Sequence, residues 1–85
     1  MGLDTVELLI AIESAFGVEI SNAEAELLDT PRAVVAHLER VLPPGEPWSR
    51  ATIERTLWKV IEAELGVDVT RHTLDSSFVI DMGAD

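Results

Sequence analysis

Leu3-Asp4-Thr5-Val6-Glu7-Leu8-Leu9-Ile10-Ala11-Ile12-Glu13-Ser14-Ala15-Phe16-Gly17 is the stretch on which the fold turns. Asp4, with Glu7 three residues on, predicts a capping box at a helix start. Gly17 stands where a helix ends in the left-handed conformation, which a residue without Cβ adopts freely. Thr5, Leu8, Leu9, Ile12 and Phe16 recur at helical spacing and predict one buried stripe. At ~1.5 Å per residue the helix spans about 20 Å. Val6 and Ile10 fall off the stripe, beside Glu7, Glu13 and Ser14. Apolar residues ringed by acids on an exposed face suit a partner surface, and Val6, Glu7, Ile10 and Glu13 are its candidate residues. The competing role for Val6 and Ile10 is to cover the edge of a long loop.

Outward from that helix, Ser21-Asn22-Ala23-Glu24 is a second capping box and predicts a short helix toward Leu28. Thr30-Pro31 is a cap followed by proline in the first turn. The helix behind it puts Val34, Val35, Leu38, Val41 and Leu42 on one face. Pro43-Pro44-Gly45-Glu46-Pro47 is a short stiff linker and the only break in composition. Ser49 or Thr52 then caps a helix with Ile53, Leu57, Val60, Ile61 and Leu65 on a face, ended by Gly66. Residues 67–85 read as a long loop with a turn of helix near Ser76–Ile80. No alternating strand of useful length appears. The expected fold is all-α, a small bundle of three to four helices in one domain.

Ile12–Ser21 echoes Ile61–Thr70, each with a glycine followed by a valine. The segments that follow the two copies differ. The echo therefore reads as two helices with the same ending, where the valine folds back on its helix, and not as a duplication.

Composition narrows the function. Eighty-five residues build one small core, and no cysteine is present to staple it or to bind a metal. His37 and His72 are too few for a metal site at this spacing. Six basic residues against sixteen acidic ones give a formal net charge of −10. Such a chain repels nucleic-acid phosphates and anionic membranes, and steers partners with basic patches toward itself. The longest apolar run, Leu8–Ile12, is too short to span a bilayer. No basic segment precedes an apolar one at the N-terminus, so no signal peptide is expected and the cytoplasm is the default location. Val6 occupies the place where a myristoylation motif beginning at Met1-Gly2 wants Ser or Thr. No nucleophile–base pair, carboxylate dyad or phosphate-binding loop is visible, so an enzyme is not expected. Trp48 and Trp58 are expected as packing anchors, and His37 as a solvated or edge residue.

Leu3-Asp4-Thr5-Val6-Glu7-Leu8, continuing to Phe16-Gly17-Val18-Glu19-Ile20, resembles the second helix of bacterial acyl carrier proteins and its exit. Ala23-Glu24-Ala25-Glu26 and Thr30-Pro31 through Leu42 are similar to that family's short third helix and its fourth. Ile53-Glu54 through Leu65-Gly66-Val67, then Ser77-Phe78-Val79-Ile80-Asp81-Met82-Gly83-Ala84-Asp85, resembles its first helix and first long loop. The resemblance thus covers nearly the whole chain in circularly permuted order. Residues 1–42 correspond to helices two to four, 43–48 to a linker, and 49–85 to helix one and its loop.

In the resembling family a serine after Gly-Ala-Asp and before Leu-Asp carries 4′-phosphopantetheine. Here that position falls between Asp85 and Leu3, with Gly2 nearest, and glycine has no hydroxyl. The attachment site flanked by Asp85, Gly2 and Leu3 is therefore expected to be broken, and no prosthetic group is expected on the chain as given. Asp75-Ser76 mimics the attachment dipeptide too early in the loop, so Ser76 and Ser77 are expected to cap a turn. Thr5 is expected to pack or cap. The resemblance implies docking of the first helix onto basic patches of biosynthetic enzymes. Two functions stand side by side. One is a carrier module for fatty-acid, polyketide or peptide intermediates; the other is a pseudo-carrier that docks or regulates such enzymes without cargo. A monomer is expected, with a swapped dimer as the competing assembly.

Overall fold

The computed structural model describes residues 3–84, with side chains from Asp4 onward. Four α-helices and one 3-10 turn follow one another: α1 (Leu3–Phe16), α2 (Asn22–Ala25), α3 (Pro31–Val41), α4 (Arg50–Leu65) and η1 (Val69–Arg71). No strand occurs among the described residues, so the chain is an all-α bundle.

The helix ends follow from their capping chemistry. α1 already begins at Leu3, so Asp4 lies in its first turn and complements the helix dipole there instead of forming the expected capping box. Gly17 and Gly66 take φ of 67° and 65°, left-handed values that would strain a side-chain-bearing residue. The Ser21 hydroxyl accepts from the Glu24 N–H at 3.1 Å, and the Glu24 carboxylate accepts from the Ser21 N–H at 3.1 Å. Thr30 caps α3 through the Ala33 N–H at 3.2 Å, with Pro31 next in line. Of the two candidate caps for α4, Ser49 is the one used, accepting from the Thr52 N–H at 3.3 Å.

α4 is the central element and packs against α1, α3 and η1. Its Ile53, Leu57 and Ile61 are buried against Leu8, Leu9, Ile12 and Phe16 of α1 and Val34, Val35 and Leu38 of α3, in one cluster. Val41, expected on the buried face of α3, is instead 46% exposed. It lies three residues past Leu38 in the last turn of α3, where the chain leaves the bundle for the proline linker. Val60 and Leu65 are only half-buried, so the core face of α4 is narrower than its apolar sequence. The linker brings Trp48 back onto Phe16, with ring centroids 4.8 Å apart at 47°, a packing role as expected.

Residues 72–84 are more ordered than a long loop suggests. Phe78, Met82 and Ala84 are buried in the core. The Phe78 N–H donates to the Asp29 carbonyl at 3.0 Å, and the Arg32 N–H donates to the Leu74 carbonyl at 2.8 Å. Asp75 receives Arg32 through two bonds of 2.7 and 3.0 Å. The segment is thereby tied to the start of α3. Among the described residues the only helical turn after α4 is η1, upstream of the expected Ser76–Ile80, where hydrogen-bonded turns stand instead.

Candidate functional site

α1 separates its two faces as its spacing predicts. Leu8, Leu9, Ile12 and Phe16 are buried, and Thr5 is half-buried. Val6 is 37% and Ile10 58% exposed. Both line a shallow cleft of about 130 Å³ between α1 and α2, together with Glu13, Leu9, Ile20, Asn22 and Ala25. Glu7 is exposed on the same helix and does not line the cleft. Three of the four predicted contact residues thus share one depression.

Glu13 has a second occupation. Its carboxylate accepts the Ile20 N–H at 2.7 Å and so secures the turn between α1 and α2. That bond stiffens the far wall of the cleft, which Ile20, Asn22 and Ala25 supply. Those three were not legible as site residues. The available signal was the valine after Gly17, which predicts only that the chain folds back.

Gly2 and Asp85, two of the three residues flanking the expected attachment position, lie outside the described residues, and of Leu3 only the backbone is described. Of the five serines, Ser21, Ser49, Ser76 and Ser77 each use the hydroxyl to accept a backbone N–H. Ser76 accepts from Thr73 at 3.0 Å and Ser77 from Ile80 at 3.1 Å, the turn-capping roles expected of them. Ser14 stands late in α1, away from any helix start. Ser21 and Ser49 stand at the starts of α2 and α4, and neither is followed by the Leu-Asp of the resembling family's attachment site.

His37 corrects the sequence expectation. It is 1% exposed, not a solvated edge residue. It lies on α3 one turn on from Val34 and beside Leu38, both buried. Its Nδ1 lies 3.3 Å from Arg40 Nη2 and 3.6 Å from Glu24 Oε2. Among the described residues no group of three or more potential ligands could hold a metal ion, and no helix is long and apolar enough to cross a membrane.

Comparison with known proteins gives a partial relationship. Acyl carrier protein 2 of Pseudomonas aeruginosa is 44% identical over 41 residues, which are 48% of this chain and 52% of that protein. The acyl carrier protein of Akkermansia muciniphila is 49% identical over 39 residues, 46% of this chain and 49% of its own length. That of Helicobacter hepaticus is 49% identical over 37 residues, 44% of this chain and 49% of its own. The chain spans about half the length of the curated relatives it matches. No family model and no solved structure matches it.

Proposed function

We propose, with this relationship to acyl carrier proteins as the premise, that the chain is a carrier-type docking module. Its partners are biosynthetic enzymes with basic surfaces, of fatty-acid, polyketide or peptide assembly, and Val6, Glu7, Ile10 and Glu13 meet them. The observation that carries this reading is the pair Val6 and Ile10, exposed beside a cleft on α1 in a chain of net charge −10. Exposed apolar groups supply the buried centre of a contact, and the surrounding acids supply steering.

The permuted order belongs to the same proposal. Residues 1–42 act as carrier helices two to four, 43–48 as a linker, and 49–85 as helix one and its loop. A linear alignment that covers only about half of both chains supports this order, as does the packing of α4 against both α1 and α3.

A second reading, a pseudo-carrier without cargo, is favoured by one residue. Gly2 stands directly before Leu3-Asp4, where the resembling family has its serine. On this reading Gly2, which has no hydroxyl, leaves the position before Leu3-Asp4 without a nucleophile and the chain works by docking alone.

Intact mass after incubation with a phosphopantetheinyl transferase and coenzyme A separates the two. The chain as given is expected to gain no mass, and a gain would restore the carrier reading in full. Docking is tested with Glu7→Lys; the Glu7 carboxylate makes no hydrogen bond or ion pair among the described residues. It should weaken capture by a basic partner enzyme and flatten its salt dependence, with circular dichroism unchanged. Glu13→Lys is the poorer variant, because it also strands the Ile20 N–H. Unchanged affinity in Glu7→Lys and Ile10→Asp together would move the surface elsewhere.

A further inference from the structure

The chain has few cations, and they are not spread evenly. Arg32 is paired with Asp75, and Arg50 with Glu39 and Glu54. Arg40 is bonded to His37. The other three, Arg55, Lys59 and Arg71, form no ion pair among the described residues, although acids outnumber bases sixteen to six. Two of those three, Arg55 and Lys59, line one depression. A cleft of about 560 Å³ lies between α4 and the η1 segment, lined by Arg55, Trp58, Lys59 and Glu62 on one side and by Val69 and Leu74 on the other. Arg71 sits in sequence between two further lining residues, Thr70 and His72.

The spacing explains the arrangement. Positions 55, 58, 59 and 62 share one face of α4, three and four residues apart. That face lies away from Ile53, Leu57 and Ile61, which are buried. Arg55 and Lys59 therefore project one turn apart as a charged pair beside the Trp58 indole, which is only half-buried. Val69 and Leu74, both half-buried against the core, form an apolar wall. The depression is broad and open to solvent, with room for a small molecule.

We propose that this cleft binds a small organic anion with an aromatic body. Its phosphate or carboxylate lies against Arg55 and Lys59, and its ring lies between Trp58 and the Val69–Leu74 wall. The charge is the selective element: a strongly acidic protein repels anions everywhere except where unpaired cations cluster. Arginine adds planar hydrogen-bonding to either headgroup, and the indole adds stacking area. Glu62 on the same face accepts hydrogen bonds only, so it favours a ring bearing an N–H donor and disfavours a second negative group at that end. The site is separate from the α1–α2 cleft and does not depend on the docking function.

Titration of the isotope-labelled full chain, followed by amide chemical shifts at constant ionic strength, tests the proposal. The probes are adenosine monophosphate, indole-3-acetate, inorganic phosphate, adenosine and a hexaglutamate peptide. Saturable shifts confined to residues 55–74 are expected with adenosine monophosphate, with indole-3-acetate, or with both. The first alone marks a phosphate headgroup, the second alone a carboxylate. Inorganic phosphate and adenosine should bind at least tenfold more weakly. Arg55→Gln with Lys59→Gln, both at exposed positions, should lower affinity at least tenfold while the amide spectrum elsewhere stays native. No saturable shift with either aromatic anion overturns the proposal. So does equal binding of inorganic phosphate, or tighter binding of hexaglutamate at the same residues, which would mark an acidic protein segment as the occupant.

Discussion

His37 shows how one side chain can be placed by packing against its own chemistry. Arginine can only donate, so the 3.3 Å contact with Arg40 makes Nδ1 the acceptor and leaves the proton on Nε2. That Nε2–H is buried and has no hydrogen-bond partner among the described residues. An orphaned buried donor costs about 1–3 kcal/mol. His37→Leu removes the orphan and keeps most of the volume, while Arg40, exposed, turns to water. Urea unfolding should find this variant at least as stable as the parent. His37→Ala should lose about 2–4 kcal/mol, because it leaves a cavity among Val34, Leu38 and their neighbours. Equal losses in the two variants would mean that the nitrogen is bonded in solution. A histidine next to an apolar stripe gives no sequence signal of such burial. Its position one turn after Val34 is compatible with an edge or an interior site.

At the scale of elements, polar caps carry the helix boundaries, and three carboxylates show it electrostatically. Glu24 is held below its ordinary value by the Ser21 backbone N–H first and the Ser21 hydroxyl second. The Thr70 hydroxyl and N–H do the same for Asp68, and the Arg32 guanidinium does so for Asp75. A lowered folded value means the charged form is favoured by folding. The contribution is therefore complete above the ordinary carboxylate range, about pH 4, and is lost as pH falls through the lowered native values. Stability measured from neutral pH downward should stay level and then drop in acid, and Asp75→Asn should make that drop shallower. An identical acid limb in Asp75→Asn would show that the Arg32 bond is not formed in solution. Ser21→Ala should cost about 1 kcal/mol through the lost α2 cap. These boundaries were legible because caps are local: Ser21 with Glu24, Thr30 with Pro31, and Gly66 each announce themselves within four residues. The docked 72–84 segment was not legible. Phe78, Met82 and Ala84 follow no helical or strand period, and the Arg32–Asp75 pair joins positions 43 residues apart. The partner face on α1 was half legible. Val6 and Ile10 stand out against the 3.6 period, whereas Ile20, Asn22 and Ala25 reach the cleft only through the turn that Glu13 secures.

The whole molecule closes its core within one chain. Its radius of gyration is 11.8 Å, against about 12 Å expected for a compact chain of this length. The linker is long enough to return α4 against both α1 and α3, so exchange of halves between two chains gains no new contact. Light scattering at micromolar concentration should give the 9.3 kDa monomer, and a dimer would mark Pro43–Pro47 as an exchange hinge. The order of the two halves can be tested on the same fold. If residues 49–85 act as carrier helix one and its loop, a chain running 49–85, then one serine, then 3–42 retains every contact outside the linker. It should still fold, at a lower urea concentration than the parent because the Trp48–Phe16 contact goes with the linker. Its serine would follow Gly83-Ala84-Asp85 and precede α1. Ala84 is buried and its N–H bonds the Phe78 carbonyl at 2.7 Å, so the loop end is fixed, and Leu3 begins a helix. A hydroxyl held there faces the positive dipole end of α1, which favours a phosphate ester. With a phosphopantetheinyl transferase and coenzyme A, the reordered chain should gain the mass of one phosphopantetheine arm, and the parent none. A reordered chain that fails to fold would refute the exchanged order itself. A folded one that stays unmodified would place the loss of carrying elsewhere than in the missing serine. A parent that gains the arm, mapped to Ser76 or Ser77, would show that those turn caps open enough to react.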